Sequence, residues 1–347
     1  MLMIDKNFCM SSYLAFRYIE RDDTDFFEGL HHENIKPVKD TVKVSTAAEI
    51  DAAIADSFSA LRGKKFGVML SGGMDSAIVA SYVRGSDAYT FRFLGGNYQK
   101  EELERAEYYA KTYSLNLHYV DINWQTIEPY IDSVMRAKGA PVHSIEPQLL
   151  VAAEQAKADG IECIVIGDAS DYIFGGMDKL LSRDWTFDEF AARYTYLDPE
   201  AVLVEPADVS YLFERYRIGD NAIDWMRFLD DISTEESYGS YDNAFKTAQI
   251  DYFDPYANLA MGVPLDLQRI RNGESKYLIR ELFAKKYPDF PVPNKTPMPR
   301  PVDFYFKDYQ PTRPEFKQNL DMTKFTGNQK WQMYCLERFL NLFDPIH

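Results

Sequence analysis

The sequence predicts an α/β protein with a parallel, Rossmann-like sheet followed by a large helical portion. Three observations carry that reading. Short apolar runs alternate with helix-period segments up to about residue 180. The run Ile161-Glu162-Cys163-Ile164-Val165-Ile166 is nearly all apolar, as in a strand buried on both faces. Past about residue 180 the strand alternation stops, and residues 186–285 read as mostly helical, dense in Tyr, Phe and Asp.

Taken in order, residues 1–50 read as mixed and loop-like, with one apolar patch at Tyr13-Leu14-Ala15-Phe16. Ala48, Ile50, Ala53, Ile54, Phe58 and Leu61 recur at helical spacing over about 47–61. Phe66–Leu70 is the first strand and Ala88–Leu94 the second. Over 101–113, Leu103, Ala106, Ala110 and Tyr113 share one helical face. Leu117–Ile122 is a third strand, and helices near 127–137 and 147–158 precede the fourth, at 161–166. Between 285 and 317 stand eight prolines, with seven basic residues against four acidic ones. Proline removes helix and ladder donors, so this stretch predicts a long irregular connection. A last helix, about 328–343, offers Trp331, Tyr334, Leu336, Phe339, Leu340 and Phe343 to a core. The predicted division is an N-terminal segment, 1–46, then one unit over 47–347. Its α/β core spans about 60–180 and its helical part 181–347.

Bulk properties exclude several functions. A chain of 347 residues with 46% hydrophobic content supports a sizeable core. The net charge of −16 makes free nucleic acid a poor partner, since phosphate backbones want a basic face. Cys9, Cys163 and Cys335 are scattered, with neither metal-ligand spacing nor a disulfide framework, which fits a reducing cytoplasm. No long apolar segment marks a signal peptide or a transmembrane helix, so no membrane association is expected.

The chemistry concentrates in Ser71-Gly72-Gly73-Met74-Asp75-Ser76, between the first strand and an apolar helix start. A turn without bulky side chains exposes N–H groups at a helix N-terminus, which suits an oxyanion, and two serines add hydroxyls. Asp75 would repel phosphate unless a cation lies between them, so the combination suggests a nucleoside triphosphate with Mg²⁺. No Lys follows the glycines, so this is not the Gly-x-x-x-x-Gly-Lys-Ser/Thr loop. Asp171, in Gly167-Asp168-Ala169-Ser170-Asp171, also stands just past a predicted strand. If the two strands are neighbours, Asp75 and Asp171 face one cleft and can share Mg²⁺–ATP; the alternative is that both merely cap helices.

These residues resemble a known family. Ser71–Ser76 looks like the pyrophosphate loop of the N-type ATP pyrophosphatases, the PP-loop superfamily. Gly167-Asp168-Ala169-Ser170-Asp171-Tyr172-Ile173-Phe174-Gly175-Gly176-Met177 resembles the second signature of the asparagine synthetase synthetase domain. Further similarities keep the family's order: Glu102 with Ala106, His118, Asp251-Tyr252-Phe253-Asp254, Gly273-Glu274-Ser275-Lys276-Tyr277-Leu278-Ile279-Arg280, and the basic loop at Asn294-Lys295. Tyr13–Phe16 with Phe26-Phe27-Glu28-Gly29 is similar to the segment joining glutaminase and synthetase domains. The resemblance covers about 10–310. It implies an ATP-dependent, AMP-forming carbon–nitrogen ligase that adenylates a small carboxylate and transfers nitrogen to it. It also implies ATP contacts at Leu70, Ser71, Gly72, Gly73, Asp75, Ser76, Phe93 and Gly167, and Mg²⁺ on Asp75 and Asp171. Lys295, Lys276 and Asp168 would be the catalytic residues, with Lys295 the main catalytic cation and Arg300 and Arg313 weaker candidates.

Departures bear on the substrate. The family glutamate of the second signature is Asp168 here, and a related β-lactam-forming branch, which shares Gly-Gly-Met at Gly175-Gly176-Met177, has tyrosine at that position. Thr247-Ala248-Gln249 replaces a family Glu-x-Arg, which puts aspartate in doubt as substrate. Only about 50 residues precede the synthetase segment, too few for a glutaminase domain, and Cys9 has no family match and reads as a packed thiol. Nitrogen is therefore expected as free ammonia, from a separate glutaminase subunit, or as an amine on a substrate. A homo-oligomer is compatible with all of this. Two rival readings are an adenylating RNA-modification enzyme on the same loop and a non-catalytic ATP-binding subunit. His118 reads as a core or rim histidine and His31-His32 as loop surface. The four tryptophans read as core or cleft walls, and the acidic residues around 230–236 as a solvated face.

Overall fold

The four apolar runs become strands of one sheet. The computed structural model describes residues 2–345 except 37, 39, 95–98 and 295–301, without the side chains of 178, 233, 234 and 236. Its central sheet comprises β1 (Phe66–Met69), β2 (Asp87–Phe93), β3 (Asn116–Ile122), β4 (Cys163–Val165) and β5 (Asp251–Phe253). All pair in parallel, in the order β5-β4-β1-β2-β3. β1 therefore lies between β2 and β4, with Val68 paired to Ala88 on one side and Val165 on the other. Strand order reverses at β1, and a crevice opens beyond the strand ends at such a point. Val68, Ala88, Val120 and Ile164 are fully buried, as expected when helices cover both faces.

The helices that matter here are α1 (Lys6–Phe16), α2 (Ala47–Ser57), α3 (Met74–Ala80), α4 (Lys100–Thr112), α5 (Trp124–Lys138), α6 (Glu146–Ala158), α7 (Ser170–Ile173), α8 (Trp225–Ala248), α9 (Tyr277–Lys286) and α10 (Gly327–Phe343). Local signals set their ends. Asn123 and Thr326 form reciprocal capping boxes at the starts of α5 and α10. Gly139 closes α5 at φ +68, against the backbone of His31, where a Cβ would collide. The longest helix, α8, spans 24 residues and packs on α5 and α6. Among the described residues no helix is long and apolar enough to cross a membrane.

Two expectations are corrected. Residues 1–50 are not simply loop-like: α1 buries every residue from Phe8 to Phe16. The patch Tyr13–Phe16 is the end of a core helix that is apolar or small nearly all round, so no clean periodicity marks it. The helical portion also supplies a strand, since β5 adds to the far edge of the sheet beside β4. Three residues are too short a run to read as a strand, and only the neighbouring ladder makes them one.

A third correction concerns the expected basic loop, in which Arg313 was a candidate anion ligand. Its side chain is buried, donates through Nε and Nη2 to both oxygens of Glu315 (3.0 and 2.8 Å), and reaches the Asp344 carbonyl at 2.8 Å. Lys6 Nζ joins from α1, 2.9 Å from Glu315. Arg313 is thus a clamp between the chain's two ends, not an anion ligand. Burial pushes the Glu315 carboxyl up, but the bonds from Arg313 and Lys6 outweigh it and hold the group at about 2. Glu315→Gln should lower unfolding free energy by about 2 kcal/mol near neutral pH, measured by urea denaturation. A carboxyl depressed on folding contributes above its unfolded titration and loses that contribution as pH falls. The gap between wild type and variant should therefore close as pH drops below the ordinary carboxyl range toward about 2.

Candidate functional site

β1 and β4 are hydrogen-bonded neighbours, so the turns that follow them meet. After β1, the loop folds on its own serines. The Ser71 N–H donates to Ser76 Oγ (3.0 Å) and the Gly73 N–H to Ser71 Oγ (3.1 Å). No side chain caps α3 at Gly73, which leaves the first N–H groups of the helix facing the crevice mouth. Gly72 lies against α4, where a Cβ would come within 2.8 Å of Glu102 Cα, and Arg105 Nε donates to the Gly72 carbonyl at 2.9 Å.

Asp75 and Asp171 converge on one ammonium. Lys276 Nζ is 2.8 Å from Asp75 Oδ2 and also pairs with Asp171. Ser170 Oγ donates to the other Asp75 oxygen at 2.6 Å. Lys276 is 3% exposed, yet burial, which would lower its pKa, is outweighed by the two carboxylates, and the group stays charged. Its backbone is left-handed (φ +55, ψ 39) at the N-cap of α9, a conformation that costs a non-glycine residue about 1 kcal/mol. Gly176 completes the arrangement, because a Cβ there would run into the Asp171 carboxylate and the Lys276 stem.

A second acid pair lies behind the first. Asp254, just past β5, accepts N–H bonds from Asp168 (3.0 Å), Ala169 (2.9 Å) and Tyr256 (2.9 Å). Ser237 Oγ, on α8, is 3.3 Å from Asp168. Burial, then the charges of Asp254 and Asp171, push Asp168 up to about 8. Burial raises Asp254 to about 7 against its three N–H donors. Those donors favour the charged form of Asp254, so Asp168 holds the proton of this coupled pair.

Two cavities meet at these side chains. One, of about 170 Å³, is lined by Leu70, Ser71, Asp75, Ser76, Thr90, Phe91, Gly167, Asp168, Asp171 and Tyr241, among others. The other, of about 120 Å³, shares Ser71, Asp75, Glu102 and Asp171 and adds Gly73, Arg105, Lys276, Arg280 and Asn294. The first has aromatic walls and the second a basic side. Glu102, at their junction, is pushed up by burial, and its Oε2 has no hydrogen-bond partner among the described residues.

Sequence-selected residues fall as follows. Leu70, Ser71, Ser76, Asp75, Gly167, Asp168 and Asp171 line the first cavity, and Gly73 and Lys276 the second. Gly72 backs onto α4 instead. Phe93 lines neither cavity: it is buried, and its N–H donates to Gln99. Thr90 and Phe91 of the same strand do line the first. Lys295 and Arg300 lie outside the described residues. His118 lines neither cavity: it pairs with Asp87 (2.8 Å) toward the strands' starting end and stacks on Tyr89. The Cys9 thiol is buried and pushed up by that burial. Trp225 and Trp331 are buried, and Trp124 and Trp185 pack on the core.

Two minor readings are corrected. His31 and His32 are not simply loop surface, because both rings donate through Nδ1 to the Asp25 carboxylate (3.0 and 2.8 Å) and His32 is buried. Glu235 is not on a solvated face: it accepts the Ile35 N–H at 2.7 Å, and burial pushes it up to about 7. Residues that sequence reasoning did not single out include Ser237, Arg105, Tyr256 and Tyr241. Three of them lie on helices and Tyr256 in the turn after β5, and their contacts with the site are long-range.

The convergence of Asp75 and Asp171 suits a divalent cation held by carboxylates and phosphate oxygens. Among the described residues no group of three or more His, Cys, Asp or Glu surrounds a metal position. Mg²⁺ here would rest on two carboxylates and its ligand's phosphates, and would share them with Lys276.

A nucleotide-type crevice with paired acids at a sheet's switch point defines the class of site. The chain belongs to the asparagine synthase family, whose model matches residues 49–242, more than half of the chain. A relative from Methanocaldococcus jannaschii, provisionally named asparagine synthetase 1 (glutamine-hydrolyzing), is 26% identical over 171 residues. That match covers 46% of this chain and 30% of the relative, so it spans under a third of that protein. Solved structures similar in part include an NMN synthetase from Francisella tularensis (12% identity, 73% of this chain and 97% of that one, TM-score 0.27). A U34-tRNA thiolase from Methanococcus maripaludis is similar at 12% identity over 73% of this chain and 83% of that one, with TM-score 0.30.

The acid pair has a measurable consequence. A carboxyl raised on folding takes up protons that the unfolded chain releases, so its contribution to stability declines as pH rises from the ordinary carboxyl range toward about 8. Asp168→Asn should flatten that decline, read as urea midpoints between pH 5 and 8.5 on wild type and variant.

Proposed function

We propose that this chain is an ATP-dependent, AMP-forming ligase that makes an amide from a carboxylate and a nitrogen nucleophile. A substrate carboxylate oxygen attacks the α-phosphorus of ATP and displaces pyrophosphate, leaving an acyl adenylate. The nitrogen then attacks the acyl carbon, loses a proton, and expels AMP. Family membership supports the reading. The observation that carries it is the meeting of Asp75, Asp171 and Lys276 where an aromatic-walled cavity joins a basic one.

The residues divide the work. The first cavity would take the adenosine end, between Leu70, Phe91 and Gly167. The second, with Arg105, Lys276 and Arg280, would take the departing pyrophosphate. Mg²⁺ bound at Asp75 and Asp171 would supply charge neutralisation on the phosphates. The family resemblance makes Lys295 a further cation for the transition state. Asp168, raised to about 8, would take a proton from an attacking amine only in its ionised form, so amide formation should increase as pH rises toward about 8. Thr247 hydrogen-bonds within α8 (to the Asn243 carbonyl, 2.7 Å) and Gln249 caps that helix, so this segment offers no arginine to a second substrate carboxylate. We therefore read the acid as other than aspartate. Ammonia, a separate glutaminase, or an amine would supply nitrogen.

Exchange of labelled pyrophosphate into ATP tests the first half-reaction. Exchange should depend on a carboxylate and fall at least about 100-fold in Asp75→Asn. Asp168→Asn should keep exchange within about threefold while amide formation falls by about 100-fold or more. ATP binding without exchange for any acid in a broad panel would overturn the reading.

A further inference from the structure

Where β1 ends, one edge of β2 is left open. β1 stops at Met69, while β2 runs on to Phe93. Leu70 adds one more bond across, its N–H donating to the Tyr89 carbonyl (2.8 Å), and the Ser71 N–H then turns away to Ser76. Alternate residues of a strand point their N–H and C=O groups to the same side, so Phe91 and Phe93 follow Tyr89 in facing the gap. A longer β1 would bond the Phe91 carbonyl and the Phe93 N–H there. Among the described residues nothing donates to the Phe91 carbonyl. The Phe93 N–H is taken instead by a side chain, Gln99 Oε1, at 2.7 Å.

Gln99 is the N-cap residue of α4, yet its side chain does not cap that helix. It is 3% exposed and lines the first cavity beside Thr90 and Phe91. Only an oxygen can accept the Phe93 N–H, so the orientation of the carboxamide is fixed and Nε2 is the end left over. Nε2 donates to no described residue, yet unlike Glu102 Oε2 it is not sealed in by protein. A buried donor without a partner costs free energy until a ligand supplies an acceptor. The carboxamide thus takes up a main-chain donor and presents another in its place, beside the Phe91 carbonyl and inside the cavity that the ligase reading gives to adenosine.

We propose that Gln99 selects adenine over guanine by donating from Nε2 to purine N1, while the Phe91 carbonyl accepts from the 6-amino group. N9, which carries the ribose, lies across the purine from N1. The sugar therefore heads away from β2 and past β1, toward Gly167 on the far wall of the same cavity. Guanine carries a hydrogen on N1 and an oxygen at C6. In the same place it sets donor against donor and carbonyl against carbonyl, and a site built to pair with polar groups rejects a ligand that leaves them unpaired. This deepens the ligase reading and rests on its placing of adenosine, so the test separates the two.

Calorimetry on the full chain with Mg²⁺ and ATP, GTP, 1-deaza-ATP or 7-deaza-ATP is the measurement, with pyrophosphate exchange run alongside. Wild type should bind ATP and 7-deaza-ATP alike, and 1-deaza-ATP and GTP about tenfold or more weaker. Gln99→Leu should weaken ATP by about tenfold and leave it level with 1-deaza-ATP. Gln99→Glu keeps an oxygen for the Phe93 N–H and offers an acceptor to guanine N1–H, so the ratio of ATP to GTP affinity should fall by at least about tenfold. The 1-deaza comparison needs no variant, so it decides the matter even where a substitution unsettles the fold. Equal binding of ATP and 1-deaza-ATP by wild type, or equal losses of ATP and GTP in Gln99→Leu, would overturn the role of Gln99 and leave the ligase reading to the exchange assay. A loss with 7-deaza-ATP alone would put the other purine edge on Gln99 and overturn the N1 contact. Selection of ATP through Gln99 without acid-dependent exchange would support the contact and overturn the ligase reading. No binding of any of the four nucleotides would overturn both.

Discussion

The structure depends on one buried ammonium. Lys276 neutralises Asp75 and Asp171, whose turns leave two adjacent strands of the sheet. Without a cation the two carboxylates would repel at close range in a partly desolvated crevice. With it, α3, α7 and α9 are pinned at one point. The surrounding features follow. Gly176 has no side chain because the space is taken, and Lys276 accepts a left-handed backbone. Local strain that packing over-determines is a usual mark of a functional site. A divalent ion bound there would compete with Lys276 for the same carboxylate oxygens, and a phosphate would compete with the two carboxylates for the ammonium.

Around that point the architecture assigns each neighbour a task. Tyr256 donates its hydroxyl to the Asp75 carbonyl (3.1 Å), and Tyr287 donates to the Ala77 carbonyl (2.6 Å). Both hold α3 from outside the nucleotide crevice. Asp254 uses three backbone N–H groups to fix the turn that carries Asp168. Those bonds favour the charged form of Asp254 against the burial that raises it to about 7, and its charge adds to the burial that raises Asp168 to about 8. Structural support and acid–base tuning are therefore the same set of hydrogen bonds.

Much of this was legible in the residues. The strands β1 to β4 are apolar runs between helix-period segments, and burial on both faces makes such runs conspicuous. Asp75 and Asp171 could be placed at strand ends, but only strand order decides whether they meet, and order is a long-range property. The resemblance supplied Lys276 and Asp254 as motif members. It did not say that Lys276 bridges the two aspartates. α1 escaped because a helix buried nearly all round has no polar face to give it a period. β5 escaped because an edge strand of three residues is defined by the ladder it joins. Arg313 looked like part of a basic, anion-binding loop, yet its donors are taken by Glu315 two residues on and by Asp344 in the last turn of chain, pairings that proximity to Lys295 does not signal.

Helix α8 and the turns at the strand ends meet at Asp168 under different constraints. The crevice is built from turns at strand ends, each constrained by glycines, backbone bonds and the shared ammonium. α8 reaches it through side chains on a helix face, Ser237 toward Asp168 and Tyr241 along the first cavity. Asp168, touched by Ser237 of α8 and by the turn after β4, stands at the join. A substitution at that position would change this carboxyl without removing a partner from the ion pairs of Lys276 with Asp75 and Asp171.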